Sequence, residues 1–74
     1  MTLVLDGEDR LRILSEIGET LRAVAPPPGY LFSHLVDGEK AVVCRGEAPH
    51  QGWRDWRFDL DPASGRLTRA GPAY

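Results

Sequence analysis

The 74-residue sequence predicts an α+β fold, a single domain over residues 1–74 in which one N-terminal helix packs on a four-stranded antiparallel β-meander. Three observations carry that expectation. Apolar residues recur at helical spacing over the first third of the chain, a proline triplet closes that stretch, and turn signatures divide the remainder into short alternating segments.

The helix is expected at about residues 7–25. Leu3-Val4-Leu5 is a lead-in or a stub of edge strand. Asp6 suits an N-cap, because its carboxylate can accept from first-turn amides, and Glu8 and Asp9 suit the positive end of a helix dipole. At about 100° per residue, Leu11, Leu14, Ile17, Gly18, Leu21, Val24 and Ala25 form one stripe. Arg12, Ser15, Glu16, Glu19 and Arg22 fall opposite, and Glu8 and Arg12 stand four apart in the favourable order. Gly18 costs such a helix about 1 kcal/mol relative to Ala and permits a close approach. Pro26-Pro27-Pro28 ends it, since none of the three can donate a backbone hydrogen bond.

Strands are expected at about residues 30–36, 39–45, 53–60 and 66–70. Asp37-Gly38 is the hairpin signal between the first two. Gly46–Gly52 reads as a loop. Between the last two strands, Pro62 presets a type I turn and Gly65 can take the left-handed conformation that rejoins them. The segment from Arg57 to Leu67 resembles the closing hairpin of PepSY-type small domains, which also place a helix before a meander. We carry no function over from that resemblance.

With a two-residue Asp37-Gly38 turn, Tyr30, Phe32, His34 and Val36 share a face with Glu39, Ala41, Val43 and Arg45. Leu31, Ser33 and Leu35 then share the other with Lys40, Val42 and Cys44. Neither face is polar, whereas a half-solvated antiparallel sheet alternates cleanly. Trp56, Phe58 and Leu60 likewise oppose Trp53, Asp55, Arg57 and Asp59. One helix covers one face, so the other is expected to meet a partner or to be re-sorted by a bulge near Gly52.

A chain this short has a thin core and usually relies on disulfides, metal or oligomerisation. The single cysteine excludes an internal disulfide, and no Cys/His spacing suggests zinc. No cofactor and no metal are expected. A lone thiol, a short N-terminal apolar stretch interrupted by Asp6, and no long apolar run point to a cytoplasmic setting without a membrane partner. Net charge is −2, so no global field draws the chain to nucleic acid. Eight of nine basic residues are Arg, which with the Ala, Gly and Pro content reads as a high-GC bacterial origin.

Catalysis has little to stand on. Cys44 with His34 or His50 would make a thiol and a base, yet a strand cysteine among valines is usually a small buried hydrophobe. Asp55 and Asp59 alternate with Arg57, and Asp61 opens a turn. Trp53-Arg54-Asp55-Trp56-Arg57-Phe58 is the most distinctive segment, because Trp, Tyr and Arg are enriched at protein–protein hot spots. The expectation is a non-catalytic protein-interaction module, homodimeric or a small accessory or inhibitory subunit, binding through Tyr30, Phe32, Trp53 and Arg57. A single-stranded nucleic-acid binder using the same face is the alternative, disfavoured by the neighbouring acids. A small enzyme or ligand carrier with an inter-subunit pocket is weaker still.

Overall fold

A computed structural model describes residues 2–36 and 41–73. Every regular element in it is a strand: β1 (Thr2–Leu5), β2 (Leu11–Leu14), β3 (Thr20–Val24), β4 (Tyr30–Val36), β5 (Ala41–His50), β6 (Trp53–Asp61) and β7 (Arg66–Pro72). They form two antiparallel sheets, a three-stranded one ordered β1-β2-β3 and a four-stranded one ordered β4-β5-β6-β7. The expected α+β class is therefore corrected: the domain is all-β among the described residues, and residues 7–25 hold two hairpin turns and two strands instead of a helix.

The reason lies in turn chemistry and in a period of two. Asp6 Oδ1 accepts the amides of Glu8 at 2.9 Å and Arg10 at 3.1 Å, closing a turn instead of starting a helix. Asp9 then takes φ 60°, a left-handed conformation that no helix interior accommodates. Gly18, at φ 88°, closes the second turn; its N–H donates to the Ser15 carbonyl at 3.0 Å. Between the turns Leu11 and Ile13 are buried and Arg12 is exposed, the alternation of a strand. Two members of the supposed helical stripe, Ile17 and Leu21, are instead 81% and 63% exposed. Arg12 pairs at 2.8 Å with Asp6, at the start of the first turn, and not with Glu8.

The two sheets share one core. Leu3, Leu11 and Ile13 from the small sheet pack with Val42, Cys44, Trp56 and Phe58 from the large one, and Leu5, Val24, Phe32, Leu35, Leu60 and Leu67 close in around them. The small sheet thus covers the face that one helix was expected to cover. Side-chain ties also span the sheets. Asp9 Oδ1 accepts the Phe32 amide at 3.1 Å, and Arg22 Nη2 donates to the Ala63 carbonyl at 3.0 Å.

The register of β4 on β5 resolves the ambiguous faces. Val36 pairs with Ala41, Leu35 with Val42 and His34 with Val43, and a bulge precedes Phe32 opposite Cys44. A two-residue turn would have set Val36 against Glu39; the Asp37-Gly38 signal itself lies outside the described residues. The bulge at Ser33 puts Phe32 and Leu35 on one face, so both apolar residues reach the core. On the opposite face Ala41 and Val43 are only 1% and 4% exposed. Their cross-strand neighbours on β6 are Asp59 and Arg57, which pair at 3.5 Å and shield them.

The segment expected as a loop, Gly46–Gly52, is mostly strand. β5 continues to His50, which pairs with Trp53, while Arg45 pairs with Asp55, so β5 bulges between these points. Gly46 is needed there: a Cβ would lie 3.0 Å from the Ala48 carbonyl oxygen and 3.3 Å from the Tyr30 ring. Gln51 and Gly52, at φ 50° and 84°, make the two-residue turn at the hairpin tip.

Candidate interaction surface around Arg69

The row of paired residues Leu35–Val42–Phe58 ends on edge strand β7 not in another apolar side chain but in Arg69. A cation occupies a core-facing position, and the surrounding rings explain how. Its guanidinium carbon lies 5.0 Å from the Trp56 ring centroid, 5.8 Å from Tyr30 and 6.0 Å from Phe58. Each ring face carries partial negative charge, so the three together hold the cation at a small desolvation cost. Nη2 donates to the Tyr30 hydroxyl at 3.0 Å, and Nη1 lies 3.0 Å from His50 Nε2, a geometry that uses the neutral tautomer accepting at that nitrogen.

The aromatic groups brace one another. Tyr30 meets Phe58 edge-on with centroids 5.2 Å apart, and His50 meets Trp56 in the same way at 5.2 Å. The Trp56 indole N–H donates to the Trp53 carbonyl at 3.0 Å, so the buried ring has no unmet donor. The result is a fixed guanidinium, exposed to solvent, beside half-buried Tyr30 and His50.

The four residues expected to bind do not form one surface. Tyr30 belongs to the Arg69 corner, and Trp53 adjoins it as the cross-strand neighbour of His50, with 42% of its surface exposed. Phe32 is half-buried against the core, with its amide taken by Asp9. Arg57 lies on the opposite sheet face, beside Asp59. Nineteen positions separate Arg69 from His50, so nothing local in the sequence pairs them. The one available signal was an Arg alternating with Leu67 on the apolar side of the last strand.

The groups considered for catalysis are dispersed. Cys44 is buried and its thiol is pushed up to about 12, first by burial and then by the Asp9 charge. His34 lies across the sheet with the Ser33 hydroxyl 3.0 Å from its Nδ1. Asp61 accepts from the Ala63 amide and the Ser64 hydroxyl, which bend the last turn. Asp55 faces Arg45 at 3.4 Å. Among the described residues no cluster of His, Cys, Asp and Glu could hold a metal ion, and no helix is long and apolar enough to cross a membrane. No family model matches the chain, and neither does any curated protein or solved structure.

Proposed function

We propose that this chain is a non-catalytic protein-interaction module that works as a homodimer, or as a small accessory subunit, in a reducing cytoplasmic setting. One observation carries the reading. The chain leaves Ile17, Leu21, Leu31 and Trp53 between 42% and 81% exposed. Ile17 lies in the second turn and Leu21 in the strand that leaves it, four positions apart. A standard interface buries roughly 800 Å² per partner. Against a total surface of 4815 Å², that is about a sixth of the molecule. The cytoplasmic setting rests on the lone, buried thiol.

Nucleic acid is the weaker reading. Base stacking needs open ring faces, and Trp56 and Phe58 are buried. Light scattering at micromolar concentration tests the leading reading: twice the monomer mass is expected. A monomer at every accessible concentration removes the homodimer. Quenching of tryptophan emission by an oligonucleotide, reversed by salt, would favour the alternative.

A further inference from the structure

We propose that the Arg69 corner is a carboxylate-accepting site whose occupant is the Glu16–Glu19 turn of a second copy of this chain, an inference that rests on the self-association reading above. Among the described residues, three of the other seven arginines pair with an acid: Arg12 with Asp6 at 2.8 Å, Arg45 with Asp55 at 3.4 Å and Arg57 with Asp59 at 3.5 Å. Arg69 is held by the Tyr30 hydroxyl, His50 and three rings, and no acidic side chain among the described residues pairs with it. Its two hydrogen bonds leave further N–H donors of the planar fork unused. An immobilised, exposed guanidinium with no acidic partner among the described residues is prepared for a carboxylate, because the ordering cost has been met within the fold.

The complementary feature is on the same chain. The turn Ser15-Glu16-Ile17-Gly18-Glu19 is closed by the Ser15 amide on the Glu19 carbonyl at 2.8 Å, the Gly18 amide on the Ser15 carbonyl at 3.0 Å and the Glu19 amide on Ser15 Oγ at 3.1 Å. It therefore presents two exposed carboxylates around the exposed Ile17 as a rigid knob. The receiving corner offers a fixed cation with Trp53, 42% exposed, at the start of β6 beside it. Charge meets charge and apolar surface meets apolar surface. A two-fold axis would make the contact twice in one dimer, which closes the assembly at two copies.

Sedimentation equilibrium of the full chain tests this. Glu16→Arg with Glu19→Arg alters only exposed turn side chains, so it keeps the fold. The dimer constant of that variant should weaken about tenfold or more, and Arg69→Glu should do the same. Combining all three reversals should recover most of the loss. Should Arg69→Glu fail to fold, Arg69→Gln and the turn variant decide. A turn variant that dimerises like the unaltered chain overturns this inference and leaves the homodimer standing. An unaltered chain that is monomeric throughout removes the homodimer itself, and this inference with it. Salt-reversible oligonucleotide binding that is lost in Arg69→Gln also overturns it, by naming a different occupant.

Discussion

Asp9 Oδ1 accepts the backbone N–H of Phe32 at 3.1 Å, tying the first turn of the small sheet to the edge strand of the large one. The bond spans 23 positions and is made from a residue held at φ 60°. An edge strand free of charged residues, as Tyr30–Val36 is, invites pairing with another chain, and a side chain seated on its amide blocks that approach. Asp9→Ala should therefore destabilise the fold by about 1–2 kcal/mol, through loss of a bond to a charged acceptor. Asp9→Gly should cost less, since glycine tolerates positive φ. Urea denaturation of the three proteins measures both. Equal stability of all three would mean that the tie contributes nothing.

Cys44 predicts both a reactivity and an alkaline limit. At pH 8 a thiol raised to about 12 from 9.0 holds roughly a thousandth of the thiolate of an ordinary cysteine. Alkylation of the native chain should accordingly be slow and should accelerate on unfolding by a comparable factor. The folded form keeps its proton where the unfolded form has lost it. Stability from this group is therefore complete below pH 9 and declines as pH rises toward 12. Denaturant midpoints measured across that range should fall, and should fall less in Cys44→Ala. At the acidic end the sign is opposite. Asp6 is lowered from 3.8, chiefly by the Glu8 amide, so its contribution is present above that value and lost as pH falls below it.

Two glycines with similar backbone angles should respond differently to the same substitution. Gly18 and Gly65 stand at φ 88° and 75°. A Cβ at Gly18 meets open space, whereas at Gly65 it would collide with Arg22 Cδ and crowd Val24 Cγ2 at 3.2 Å. Gly18→Ala should cost about 1 kcal/mol, the price of a left-handed alanine. Gly65→Ala should cost about 1–3 kcal/mol beyond that, because the Arg22 and Val24 side chains must give way. Thermal denaturation distinguishes them, and equal costs would disprove the contact.

The two tryptophans should separate in a quenching experiment. Trp53 is 42% exposed and Trp56 only 6%. Acrylamide should quench one population readily and the other poorly, and Trp53→Phe should remove the accessible one. Arg69→Ala should then expose Trp56, because the guanidinium lies over its ring. Unchanged quenching in Arg69→Ala, with the fold intact, would show that other groups bury the indole.

The large sheet was legible because its signals are local: valine and aromatic runs, Pro62 with Gly65, and a period of two from Trp56 to Leu60. The first 25 residues were misread for a physical reason. An aspartate whose carboxylate accepts the amides two to four positions later serves equally as a helix cap and as a turn, and Asp6 does the latter. Leu11 fits both periods. Ile13, buried at 1%, was the discriminating residue, and it lay outside the supposed helical stripe. Gly7 and Gly18 both lie in turns. The Arg69 corner was not legible, because its members come from β4, β5, β6 and β7 and only a register brings them together.

The strand orders β1-β2-β3 and β4-β5-β6-β7 mean that each strand hydrogen-bonds only to its neighbours along the chain. Every hairpin therefore closes over a short loop, and little chain entropy is lost before pairing begins to return it. The long closure is reserved for one event, the docking of the finished small meander on the finished large one. The prolines of residues 26–28 lie in the segment that joins the two, so the stiffness of that short link sets how far one meander can stray from the other before they dock.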